Sequence, residues 1–64
     1  MDPLTFESGV YHLLVLLPAP CRKRVIGMVD KYTKTENGSA MIDYEKLYGV
    51  IVEVAEGAGL IQPN

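Results

Sequence analysis

Three observations predict an all-α fold for this chain, a small three-helix bundle with helices over residues 3–17, 20–33 and 43–57 that can pair with a second copy. Apolar residues recur at spacings of three and four in three separate segments, the pattern of amphipathic helices. Breakers divide those segments, Pro18 and Pro20 at the first boundary and Asn37-Gly38 at the second. The third observation is the want of a staple in a chain of 64 residues. Cys21 is the only cysteine and His12 the only histidine, which excludes an internal disulfide and disfavours a Cys/His zinc site of about four ligands. A single domain of this size buries only about 60% of the surface its unfolded chain exposes. Helix packing or self-association must therefore hold it.

The first helix has a clean start. Asp2 is a good N-cap, and Pro3 suits the first helical position, where its missing N–H costs nothing. Leu4, Phe6, Val10, Leu13, Leu14 and Leu17 form its stripe, and Tyr11, Val15 and Leu16 widen it until residues 13–17 are apolar all round. Pro18 stops it. In the second helix Cys21, Val25, Met28, Val29 and Tyr32 share a face, with Arg22, Lys23, Arg24 and Lys31 largely off it. The stretch "KTENGSA" reads as a loop turned at Asn37-Gly38. The third helix takes Asp43 as N-cap, with Ile42 and Leu47 placed as a hydrophobic staple. Leu47, Ile51, Val54, Ala55 and Ala58 form its stripe, flanked by Tyr44, Tyr48 and Val50. Gly57 or Gly59 ends it as a left-handed cap, Leu60 and Ile61 fold back on the core, and "QPN" frays.

Charge and hydropathy narrow the function classes. The net charge of −2 gives no overall pull toward nucleic acid. The charge is uneven, with five of six Lys and Arg in residues 1–34 and five of eight acids in residues 35–64. The longest apolar stretch, "LLVLLPAP", falls far short of the ~18 residues of a membrane span. Asp2 and Glu7, with no Lys or Arg before the apolar run, argue against a secretory signal. "LPAPC" resembles a lipoprotein cleavage box, but Pro20 stands where a small residue should precede Cys21. A cytoplasmic protein with a reduced thiol is expected.

"TENGSAMIDYEK", residues 35–46, resembles an EF-hand calcium loop at Asn37, Ser39, Ile42 and Asp43. It departs where calcium is held hardest: Thr35 replaces the first Asp, Ala40 the turn Gly, and Lys46 the bidentate Glu. One carboxylate facing an ammonium is a poor cage for a hard dication, so a turn leading to a capped helix is the expectation, and no metal or other cofactor is assigned. The cluster "CRKR" is the most unusual local feature. It places three cations in the first turn of the second helix, against the helix dipole, and suggests an anion-binding surface. Cys21 lies on an apolar stripe and reads as a buried, inert thiol; His12 has no catalytic companion in any motif. The four tyrosines, Tyr11, Tyr32, Tyr44 and Tyr48, suit either an interface or the rim of a core.

With no nucleotide loop, nucleophile triad or ligand cluster, an enzyme is not expected. The expected function is a small protein-binding module, a regulator or inhibitor that docks a helical apolar face on another protein and self-associates as a homo-oligomer, with no membrane partner. Tyr11, Leu14, Arg22, Lys23, Arg24 and Lys31 are the candidate partner-binding residues. The alternative is a nucleic-acid-binding regulator using Arg22, Lys23 and Arg24, and a third reading is a structural subunit of a larger assembly. Calcium added to the protein should leave the NMR shifts of residues 33–46 unmoved; saturable shifts there would restore the calcium reading.

Overall fold

The computed structural model describes residues 3–62, and side chains from Thr5 onward. Asp2 and the end of "QPN", two positions read above as a cap and a frayed tail, lie outside the described residues, as does the side chain of Leu4. Helix α1 spans Pro3–Leu16 and α2 spans Ala19–Gly27. Only Leu17 and Pro18 join them, with Pro18 in an extended conformation (φ −55°, ψ 148°). Proline cannot continue the helix, and its fixed φ leads directly into the next one.

The fold is not all-α. Residues 33–42, expected to divide between the end of the second helix and a loop, form an antiparallel hairpin of β1 (Thr33–Glu36) and β2 (Ser39–Ile42). The molecule is a small mixed α/β fold of three helices and a two-stranded sheet. The turn is Asn37-Gly38, both with positive φ (52° and 79°). That is the backbone a two-residue hairpin needs, because its twist matches that of the flanking strands. Helix α2 stops six residues short of the predicted end. Gly27 is a poor helix former, Met28 leaves the helical basin (φ −98°, ψ 25°), and a 3-10 turn over Val29–Lys31 follows.

Tyr32 holds this junction together. It is 4% exposed. Its hydroxyl donates to the Val25 carbonyl at 3.0 Å, near the end of α2, where that oxygen also accepts the Met28 N–H at 3.0 Å. Its own carbonyl accepts the Asp43 N–H at 2.7 Å, which closes the base of the hairpin. The prediction that Tyr32 shares a buried face with Cys21 and Val25 holds. The backbone carrying it there is not α-helical, and Val29, placed on the same face, is exposed.

Asp43 caps α3 (Tyr44–Gly57), its carboxylate accepting the N–H groups of Glu45 and Lys46 at 3.2 and 3.3 Å. Leu47 is buried, but its expected staple partner Ile42 ends β2 and stays exposed. The helix ends in a Schellman motif: Gly59 N–H donates to Glu56 O at 3.1 Å, Leu60 N–H to Ala55 O at 2.9 Å, and Gly59 has φ 76°. The core is built on α3. Leu47, Val50, Ile51 and Val54 meet Val10 of α1, Cys21 and Val25 of α2, and Tyr32, with Phe6, Leu14, Leu17, Met28 and Tyr44 packed around them. The chain is drawn out, 38 Å along its longest axis, with a radius of gyration of 12.2 Å; a compact chain of this length would have about 11 Å.

Burial holds the Tyr32 phenol above the ordinary tyrosine value of 10.0. The native state then keeps this proton where the unfolded chain has lost it, so the contribution is complete below pH 10 and is lost as pH rises through the folded value. Tyr32→Phe should cost about 1 kcal/mol of stability at neutral pH. It should also flatten the decline above pH 10, as read by urea denaturation followed by circular dichroism.

Candidate functional site

Helices α1 and α3 pack through one edge each and part above it. The parting is an open apolar groove of about 500 Å³. Leu13 and Leu16 of α1 form one wall, and Tyr48, Ile51, Val52 and Ala55 of α3 the other. A shallower recess lined by Phe6, Gly9, Leu13 and Tyr48 extends the strip toward the start of α1.

Local structure explains each wall. Successive residues on a helix are offset by about a quarter-turn or more, so Val10, Leu14 and Leu17 can face the core only if Leu13 and Leu16 lie to one side and Tyr11 and Val15 to the other. Leu13 is 40% exposed and Leu16 is 66% exposed. On α3, Tyr48 and Val52 flank the buried stripe at i+4 spacing. The far end of the groove is formed by Leu17, Pro18, Leu60 and Ile61. The last two are there because of the Schellman motif, which turns the chain back at Gly59 and brings Leu60 beside Ala55. They were expected to fold onto the core; they line the groove instead and stay about half exposed.

The electrostatics are sparse. No Asp, Glu, Lys or Arg occurs between Glu7 and Arg22. Glu45 and Glu56 extend the line of Tyr48 and Val52 along α3 at i−3 and i+4 spacing.

The residues predicted to bind a partner do not converge. Tyr11 is exposed on the flank of α1 away from the groove. Leu14 is half-buried and packs on the core. Arg22 is half-buried, Lys23 and Arg24 are exposed on other sides of α2, and Lys31 is exposed on the 3-10 turn. Helix α2 begins at Ala19 and is short, so only Arg22 falls in its first turn, while Lys23 sits mid-helix and Arg24 in the last turn. Arg24, in the last turn, meets the favourable end of the dipole, and the electrostatic anomaly read from "CRKR" shrinks from three cations to Arg22. Among the described residues the one ion pair is Lys34–Glu36 at 3.9 Å, on the hairpin. Cys21 is buried and unpaired. His12 is exposed beside Thr5, Ser8 and Gly9 in a shallow depression. Among the described residues no three His, Cys, Asp or Glu side chains gather as a metal site, and no helix is long and apolar enough to cross a membrane. The segment resembling an EF-hand loop is folded into the hairpin and the α3 cap.

None of the residues lining the groove, Leu16, Tyr48, Val52, Leu60 and Ile61 included, was singled out as a site candidate. The signal for Leu16 was present in the all-round apolar character of residues 13–17; nothing local to "AGLIQ" marks the groove end. Comparison with protein-family models, curated proteins and solved structures finds no match.

Two substitutions on α1 should separate wall from core. Leu14→Ser should lower stability by about 2 kcal/mol or more and Leu16→Ser by less than about 0.5 kcal/mol, measured on the dilute chain by chemical denaturation. Gly59→Ala places a Cβ in open space but in a left-handed backbone; it should cost about 1 kcal/mol and shift the NMR signals of Leu60 and Ile61.

Proposed function

We propose that this chain is a small, non-enzymatic protein-binding module of the cytoplasm, a regulator or inhibitor that works through the groove between α1 and α3. The observation that carries the reading is the groove itself. It is open to solvent, runs from Phe6 to Ile61 as two depressions that share Leu13 and Tyr48, and is walled by hydrocarbon apart from the Thr5 and Tyr48 hydroxyls. Such a surface gains free energy when another helix covers it, at roughly 25 cal/mol per Å² of apolar area removed from water. It offers bond-making chemistry no nucleophile and no acid–base pair. A groove between two helices is a common seat for a third, whose anchors repeat at i, i+3, i+4 and i+7. The single thiol, buried in the core, suits a reducing compartment.

The test is paired affinity capture and binding measurement with two variants. Val52→Glu puts a charge in the groove wall, and the triple change Arg22→Glu, Lys23→Glu, Arg24→Glu reverses the α2 cations. Protein contacts should be lost in the first and kept in the second, with little dependence on salt. Binding that survives Val52→Glu, disappears in the triple variant and weakens steeply with salt would instead support a nucleic-acid or other anionic ligand.

A further inference from the structure

We infer that the occupant of this groove is the α1 helix of a second copy of the chain, giving a twofold dimer; the inference rests on the groove being a protein-docking site and names what docks there.

The first argument is charge. A twofold interface is self-complementary, so residues near the axis face their own counterparts, and any charge there meets its like. Most surface helices fail that condition. The α1 strip meets it, because residues 8–21 carry no Asp, Glu, Lys or Arg at all. Glu45 and Glu56 continue the Tyr48–Val52 line of α3 toward its two ends. The second argument is shape. Leu16 is 66% exposed and stands out from α1, while the space between α1 and α3 lacks a filler. One copy therefore carries both the knob and the hole, and an antiparallel crossing of two α1 helices satisfies both at once.

The third argument is area. Leu13, Leu16, Tyr48, Leu60 and Ile61 are each 40–66% exposed. At roughly 150–200 Å² per large side chain, they expose on the order of 450 Å² per copy, or about 900 Å² for a pair. Val52, half-buried, and Pro18, exposed, bring the total near the ~1,000 Å² that a specific interface needs. A chain whose own core is this small has a direct stability reason to cover that area.

In the dimer, Leu13 and Leu16 of each copy seat against Tyr48, Val52 and Leu60 of the other. Helix α2, with Lys23 and Arg24, and the hairpin stay outside.

Sedimentation equilibrium over a wide concentration range tests this. The wild-type chain should show a monomer–dimer equilibrium, with a higher melting temperature at higher concentration. Leu16→Glu should raise the dissociation constant by roughly a hundredfold, because the change is made twice in a twofold pair. The monomer should keep its helical circular dichroism. Should Leu16→Glu fail to fold, Leu16→Ser takes its place. Met41→Glu, on the hairpin, should leave the dimer intact. A dimer that survives the Leu16 changes, or one lost in Met41→Glu alone, overturns the proposal. A wild-type chain that is monomeric throughout also overturns it, and a further titration then separates the two levels. A lysine-flanked amphipathic helical peptide that shifts the NMR signals of Leu13, Tyr48 and Val52, and loses affinity in Glu45→Gln and Glu56→Gln, would show a groove built for a basic helix of another protein. Absence of both dimer and peptide binding would take the docking function down as well.

Discussion

Tyr32 is the constraint on which the rest depends. One side chain and one carbonyl tie the end of α2, the base of the hairpin and the N-cap of α3. The hydroxyl donates to the Val25 carbonyl, the ring is part of the core that contains Val25 and Leu47, and the carbonyl holds Asp43 N–H. A buried phenol without a partner would cost a few kcal/mol; here the polar tip is satisfied as the second donor, beside the Met28 N–H, to a carbonyl at the end of α2. With Tyr32 seated, Asp43 is positioned to cap α3, and the direction of α3 follows. The groove is a consequence, since the angle at which α3 leaves the hairpin determines how it meets α1.

The helices around the groove divide the work unevenly. Helix α3 has a sharp buried stripe and contributes most of the core. Helix α1 is apolar on nearly every side but has only one neighbouring layer to pack on. Its core-facing residues are satisfied by α3 and α2, and the rest of its hydrocarbon faces water. The exposed strip is a matter of geometry: a helix of this kind needs neighbours on two sides, and the chain folds a hairpin where a fourth helix could have been. The Schellman turn at Gly59 then shapes the strip into a groove by swinging Leu60 and Ile61 to its end. Their hydrocarbon extends the surface rather than closing it.

Much of this was legible along the chain. Helix starts and stops carry chemical punctuation, and Pro18, Asp43 and Gly59 act through their own backbone or nearest N–H groups. The stripe of α3 and the shared face of Cys21 and Val25 were readable because helical periodicity records burial directly; Tyr32 joins that face from outside the helix. The hairpin was not readable as strands. Its eight residues are all exposed, so no alternation of apolar and polar marks them, and Met41 and Ile42 sit where a helix staple would equally place them. The Asn37-Gly38 signal was correct as a turn, but it does not say what it joins. The site residues fared worst. Leu14 and Leu16 are both leucines of one helix, two positions apart, and only the direction of the neighbouring layer decides which is core and which is wall.

The sequence by itself therefore determined the ends of the first and third helices, the burial of the thiol, the lack of a staple and the surplus of hydrocarbon on residues 10–17. These depend on groups within a turn or two of each other, or on composition. Only the tertiary structure decided that α2 ends at Gly27, that the following residues pair as strands, that the α2 cations do not converge, and that the surplus hydrocarbon forms a groove with α3. Those outcomes depend on long-range packing, above all on where the Tyr32 side chain finds its acceptor, and no local spacing records that.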